Sequence, residues 1–89
     1  MRYKCVAMGQ NCLINVEVRG DIAEVKIYSD DQRLQILDAH NIAVGATRES
    51  VSIAAISENA ARIAIAKFEG LGKDGSHPKT FSGALALVS

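Results

Sequence analysis

Two cysteines have the most distinctive chemistry of any side chains in this sequence. Cys5 and Cys12 lie in segments that both have the composition of β-strands. If those strands are neighbours, the Cα atoms can approach closely enough for a cross-strand disulfide. The alternative is a pair of small buried thiols, which is the ordinary state of cysteine in a reducing cytosol. The sequence does not fix the strand register, so both possibilities stay open.

The other reactive residues do not form a pattern typical of a metal centre or an active site. His40 and His77 lie far from the cysteines in sequence, and no Cys-x-x-Cys pair is present, which leaves too few ligands for zinc. Asp30 and Asp31 are adjacent, but helix capping explains them better than acid–base chemistry does. No serine has the glycine-flanked setting of a nucleophile. We predict a protein that is not an enzyme and binds no metal or cofactor.

A glycine- and lysine-rich segment, GLGKDGSHPKT at 70–80, has residues that also occur in phosphate-binding loops. A phosphate loop precedes a helix, whereas this segment follows a predicted helix and precedes a strand. A helix stop followed by an Asp-Gly turn accounts for the composition. Lys73, His77 and Lys79 still place up to three positive groups together, where they could contact an acidic partner.

Size and charge restrict the function further. The 89 residues are expected to form one domain over 1–89, and 48% of them are apolar, although many of those are alanine. Because alanine buries little area, we hypothesise that a second copy or a partner covers part of the apolar surface. Ten basic residues balance ten acidic ones, which counts against a dedicated nucleic-acid-binding domain. No apolar run suits a membrane span or a signal peptide, so we expect a cytoplasmic protein.

The N-terminal half predicts an antiparallel meander of three strands, at 2–8, 12–19 and 22–29. A turn is expected at 9–11. Gly20 and Asp21 separate two runs of alternating polarity, which is typical of a β-hairpin with a tight primed turn. A helix is predicted next, at 31–41, because short polar side chains precede it and Leu34, Leu37 and His40 share one helical face.

The segment 47–72 contains the clearest helix. In the favoured interpretation Thr47 caps one long helix that reaches about residue 69, with alanine and isoleucine on one side and a Glu58–Arg62 ion pair on the other. In the alternative, 51–56 is a strand and Ser57 caps a shorter helix. Both interpretations make 60–68 helical and end the helix at Gly70. The alanine-rich face is expected to pack in the core, with a partner groove or a homodimer seam as the alternative.

The chain is predicted to close with a strand at 81–88. Its apolar residues lie on both faces, which is typical of a central strand or of one at an interface. The fold class is therefore α+β, with a single antiparallel sheet of about four strands. The sheet would combine the N-terminal meander with the C-terminal strand, and two helices would pack on one of its faces.

The function favoured by these features is a small non-enzymatic protein-interaction or regulatory module. The order of elements in the second half, a hairpin followed by a helix and a final strand, resembles short phage and prophage proteins. That resemblance implies an inhibitor of a host protein as one form of the function. The partner would be another protein or a second copy of the chain. The predicted partner-binding residues are Lys73, His77, Lys79, Phe81 and Leu85.

The alternative function is a compact nucleic-acid-binding module. It would use basic residues of the sheet together with those of the 70–80 loop. The sheet residues are Arg2, Lys4, Arg19 and Lys26. The neutral net charge and the lack of exposed aromatic pairs for base stacking count against this function.

Overall fold

Five antiparallel strands and one helix are formed by the residues that the computed structural model describes, which are 1–45, 52–70 and 80–88. The strands are β1 (Arg2–Ala7), β2 (Gln10–Arg19), β3 (Ile22–Ser29), β4 (Ile36–Ala43) and β5 (Ala86–Val88), and the helix α1 is Ile53–Phe68. The sheet has the order β4-β3-β2-β1-β5. The predicted α+β class with one antiparallel sheet is confirmed, but the described residues form one more strand and one fewer helix than expected.

Tight turns join the first three strands. Met8 and Gly9 connect β1 to β2 with φ angles of 54° and 75°, which is the signature of a type I′ turn. Because the turn has only two residues, β2 begins at Gln10, earlier than predicted. Gly20 has a φ of 61° as the first of the two residues between β2 and β3, where a type II′ turn prefers glycine. The predicted hairpin with a primed turn at Gly20 is therefore confirmed.

The predicted helix at 31–41 is wrong, because those residues form a turn and most of β4. Asp31 has the expected capping chemistry, but its Oδ1 accepts hydrogen bonds from the backbone of Arg33 and Leu34 within a turn. Leu34 has a φ of 45°, which a right-handed helix does not allow. From Ile36 onward the chain pairs antiparallel with β3. Pairing satisfies backbone groups that the outer edge of β3 would otherwise leave open.

The long-helix interpretation is correct that residues 53–56 are helical, but it is wrong about where the helix begins. Ser52 is the N-cap, and its Oγ accepts a hydrogen bond of 3.1 Å from the backbone of Ala55. The alternative is wrong for the described residues, because Ser57 is 1% exposed inside the helix and caps nothing. The proposed cap at Thr47 lies outside the described residues.

The two other features predicted for the helix are also confirmed. Arg62 Nε lies 3.8 Å from Glu58 Oε2 in an i,i+4 ion pair. Gly70 follows the helix with a φ of 80° and donates a backbone hydrogen bond of 3.0 Å to the carbonyl of Lys67. Glycine adopts this left-handed conformation without a steric penalty, so the helix ends there.

The alanine-rich face of α1 packs directly on the sheet. Ala60, Ala61 and Ala64 are at most 1% exposed, and their small side chains let the helix backbone approach the strands. They belong to one core cluster with alternate residues of the first three strands: Tyr3, Cys5, Ala7, Cys12, Ile14, Val16, Ala23, Val25 and Ile27. The prediction that this face belongs to the core is confirmed, so it is not a free groove for a partner.

The closing strand is shorter than predicted and lies at an edge of the sheet, beside β1, rather than in its centre. The residues before it follow the helix instead. The guanidinium of Arg62 donates hydrogen bonds of 2.9 Å to the carbonyls of Phe81 and Gly83, and the Phe81 N–H donates to the Arg62 carbonyl. The ring of Phe81 lies against Gly83 and leaves no room for a Cβ there. These contacts hold 81–83 on α1, so pairing with β1 begins only at Ala86.

Candidate interaction surface

The sheet has one face covered by α1 and one face on which no other helix or strand of the described residues packs. We call the second face the open face. Its residues alternate with those of the core along every strand. They are Arg2, Lys4, Val6, Asn11, Leu13, Asn15, Glu17, Arg19, Ile22, Glu24, Lys26, Tyr28, Ile36, Ala39, Asn41, Ala43, Ala86 and Val88.

An apolar row crosses the open face. By the strand register Ile36, Tyr28 and Leu13 are direct neighbours on β4, β3 and β2, and Lys4 and Ala86 continue the row on β1 and β5. Ile36 is 55% exposed, and Tyr28 and Leu13 are half-buried among their neighbours. A sheet face in contact with water is usually polar, so this row is the candidate contact surface of the described residues.

The basic residues of the open face are largely paired. Three of the four that a nucleic-acid-binding function would use lie within 4.0 Å of a carboxylate. The pairs are Lys4–Asp30 (3.6 Å), Arg19–Glu17 (2.6 Å) and Lys26–Glu24 (3.6 Å). The four basic side chains do share one face, as that function requires, but neighbouring carboxylates offset most of their positive charge.

A shallow cleft of about 270 Å³ lies at one corner of the open face, where β5 separates from β1. Its lining residues come from β1, β2 and β5, from the residue that follows β3 and from the chain that leads into β5. They are Lys4, Cys5, Val6, Asn11, Asp30, Ala84 and Ala86. Apolar side chains form most of its wall, and the ammonium of Lys4 and the carboxylate of Asp30 form an ion pair beside it. The cleft is therefore suited to an apolar group with polar contacts at its edge.

The residues predicted to bind a partner are only partly described. Lys73, His77 and Lys79 lie outside the described residues. Phe81 is 8% exposed and belongs to the core cluster, so little of its ring is available to a partner. Leu85 is half-buried and packs against the same cluster, and its role in binding stays a prediction.

The alternation of residues along β3 predicted which side chains share a face, but it did not indicate a function. In β3 the alternation places Ile22, Glu24, Lys26 and Tyr28 on one side, and the structure confirms that all four lie on the open face. The row is completed by Ile36, for which the sequence pattern predicts a helix. Its place on the sheet depends on pairing with β3, which local spacing does not reveal.

The two cysteines face each other in the core. Cys5 and Cys12 are direct partners in the β1–β2 register, and both are buried free thiols. Burial, with a smaller contribution from Cys12, raises the pKa of Cys5 from its ordinary value of 9.0 to about 11. Burial also raises the pKa of Cys12, although a hydrogen bond with the backbone of Ala7 opposes that shift. Both thiols are protonated at neutral pH and therefore poor nucleophiles.

The raised thiol pKa predicts a loss of stability at alkaline pH. Below pH 9.0, the ordinary pKa of the thiol, protonated Cys5 contributes its full stabilisation to the folded state. This stabilisation is lost as the pH rises toward 11, the pKa of Cys5 in the folded protein. We therefore expect the difference in free energy of unfolding between the wild type and Cys5→Ala to shrink from pH 8 to pH 11. Urea denaturation followed by circular dichroism at each pH measures this difference. A difference that is constant over the range would contradict the assignment.

The side chains that could bind a metal do not cluster in the described part of the chain. His40 Nε2 lies 2.7 Å from Asp38 Oδ2 on β4, and the described residues contain no cluster of three or more potential metal ligands. None of the helices in the described residues has the length and apolar character needed to cross a membrane. Comparison of the chain with protein-family models, with curated proteins and with solved structures found no match.

Proposed function

We propose that the protein is a non-enzymatic interaction module that binds another protein through the open face of its sheet. The observation that carries the proposal is the apolar row formed by Ile36, Tyr28 and Leu13. Covering this row would stabilise a complex by about 25 cal/mol for each Å² of apolar area removed from water. Tyrosine is also enriched at the centres of protein interfaces, where its ring packs and its hydroxyl stays hydrogen-bonded.

The charge arrangement favours a protein partner over a nucleic acid. Binding to phosphates draws its strength from lysine and arginine side chains that are free to replace counterions. On the open face the ammonium groups of Lys4 and Lys26 each lie 3.6 Å from a carboxylate, so they would first have to leave those partners. Tyr28 is the one aromatic side chain among the open-face residues, whereas sheets that bind RNA stack two or three bases on aromatics. The nucleic-acid module stays the second candidate.

Two forms of the interaction function fit this surface. A second copy of the chain could cover the open face and form a homodimer. A different protein could be bound and inhibited, which is what the resemblance to short phage proteins implies. In both forms the chain supplies a surface and performs no chemistry of its own.

Replacing Tyr28 with glutamate tests the proposal, because it places a charge in the middle of the apolar row. Immobilised wild-type chain is expected to retain a protein from an extract of its native cells, or to form a dimer in analytical ultracentrifugation. Tyr28→Glu should reduce that retention or association at least tenfold, which corresponds to about 1.4 kcal/mol.

The matched control is Ile53→Glu on α1, a residue that is 53% exposed and lies away from the open face. It should bind like the wild type, and circular dichroism should show that both variants are folded. Equal binding by Tyr28→Glu and the wild type would exclude the open face as the contact surface. Tight, steeply salt-dependent binding of mixed oligonucleotides in fluorescence anisotropy would favour the second candidate.

A further inference from the structure

The direction of the backbone groups along β1 follows from its first hydrogen bonds. Met1 and Val16 exchange two bonds, of 2.7 and 2.8 Å, between their backbone N and O atoms. Because bonding direction alternates along an antiparallel pair, Tyr3, Cys5 and Ala7 also bond to β2. Arg2, Lys4 and Val6 must therefore direct their N–H and C=O groups toward the opposite edge of the strand.

Strand β5 covers only half of that opposite edge within the described part of the chain. β5 pairs with Arg2, Tyr3 and Lys4, and no described residue pairs with Val6 on that side. Continuing the register of β5 would bring Ala84 opposite Val6. The bonds from Arg62 to the carbonyls of residues 81 and 83 instead hold this part of the chain on the helix. Among the described residues, the N–H and C=O of Val6 therefore have no strand partner on that side, and they lie directly beside the cleft.

The other edge of the sheet, β4, has features that discourage strand addition. Asp38 and His40 point toward the helix side of the sheet, where they form their 2.7 Å contact half-buried. The β3–β4 register also shifts between Ile27 and Tyr28. Inward-pointing charged residues and local irregularities are two devices by which native edges resist pairing with another chain. The uncovered stretch of β1 beside Val6 has no inward-pointing charge, so it is more receptive to an added strand than β4 is.

The cleft has room for an apolar side chain and a lining that suits one. Its volume of about 270 Å³ is below the ~300–1,000 Å³ of typical small-molecule pockets. Val6, Ala84 and Ala86 supply apolar contacts, and the Lys4–Asp30 ion pair lies at the border. In strand addition, backbone bonds provide affinity and pockets for alternate side chains provide specificity. The backbone groups of the strand edge and the cleft lie side by side at Val6.

We propose that the partner supplies an extended segment that adds to the free edge of β1. Its backbone bonds to the N–H and C=O of Val6, in line with β5, and one of its aliphatic side chains enters the cleft. This inference rests on the proposed interaction function and names the class of partner: a protein with an exposed, strand-forming segment that contains an aliphatic residue.

The test uses random octapeptides displayed on phage and selected on the full chain. Selected sequences should contain an aliphatic residue flanked by strand-forming residues. The synthetic peptides, titrated into ¹⁵N-labelled protein, should shift the amide signals of Val6, Ala84 and Ala86. Val6→Pro removes the edge N–H but no bond to β2, so it should weaken binding at least tenfold. Val6→Thr keeps both the shape and the N–H and should bind within about threefold of the wild type.

A second measurement covers the case in which Val6→Pro does not fold. A peptide whose amide opposite the Val6 carbonyl is N-methylated should lose at least tenfold in binding to the wild type. Strand addition is overturned if no peptide is enriched, or if the proline variant and the methylated peptide both bind normally. It is also overturned if shifts at Val6 appear on concentrating the protein alone, which would assign the edge to a second copy.

The outcomes separate this inference from the function on which it rests. Peptides that shift only open-face signals and lose binding with Tyr28→Glu would overturn strand addition and leave the interaction function in place. Partner retention that is unaffected by Tyr28→Glu but abolished by Val6→Pro would overturn the open face as the contact surface and support the β1 edge.

Discussion

Replacing Ile65 with alanine is expected to lower the free energy of unfolding by about 2–5 kcal/mol. Ile65 is completely buried between α1 and the sheet and is one of the largest fully buried side chains. Its neighbours on the helix include Ala61 and Ala64, which are too small to fill the cavity that truncation leaves. A domain of this kind has a total stability of about 5–15 kcal/mol, so the variant would lose a large share of it. Urea denaturation followed by circular dichroism measures the loss.

Ile53→Ala is the matched control for this substitution. Ile53 lies in the same helix, is the same residue type and is 53% exposed, so it should change the stability by no more than about 0.5 kcal/mol. A similar loss in both variants would contradict the orientation of α1 on the sheet.

Replacing Arg62 with alanine is expected to lower the free energy of unfolding by about 1.5–3 kcal/mol, because its hydrogen bonds are formed by a charged donor. The guanidinium holds the carbonyls of Phe81 and Gly83 at 2.9 Å, and its loss would leave both acceptors without this partner. The loss of Arg62 should also loosen β5 more than the rest of the sheet. Amide hydrogen exchange of β5 should accelerate more than that of β2 and β3, since Arg62 positions the chain that leads into β5.

Arg19→Ala is the control for the loss of an arginine. Arg19 is exposed and paired with Glu17 on the open face, so its removal should lower the stability much less than the loss of Arg62 does. Uniform acceleration of exchange throughout the sheet in Arg62→Ala would contradict the specific role of this residue in holding β5.

The features predicted correctly from the sequence are those decided by neighbouring residues. Gly20 marks a primed turn between two alternating runs because only a few residue types adopt its conformation easily. Gly70 marks the end of α1 for the same reason, and the spacing of Glu58 and Arg62 produces their ion pair. In each case the physical cause acts within a few residues of the chain, so it is visible in the sequence.

The errors occurred where distant parts of the chain decide the structure. Residues 31–41 have helical spacing of Leu34 and Leu37, and Asp31 offers a cap, yet the unpaired edge of β3 draws this segment into β4. The closing strand was predicted too long because Arg62 binds Phe81 and Gly83, which lie 19 and 21 residues away in sequence. Local patterns contain no information about such partners.

The candidate surface was only partly visible for a related reason. Alternation in β3 places Tyr28 among polar residues, but the apolar row exists only after Leu13 and Ile36 are aligned with it by strand pairing. The cleft depends on where β5 leaves β1, which is set by contacts between α1 and residues 81–83. Phe81 looked available in a strand, whereas its ring completes the core.

The late position of β5 in the chain has a kinetic consequence. β2 and β3 follow their pairing partners after two-residue turns, so those hairpins can close within microseconds. Pairing of β1 with β5 joins residues more than eighty positions apart, and the entropy of closing so long a loop delays it. A nascent molecule therefore presents the whole outer side of its first strand to the cell before its last strand arrives.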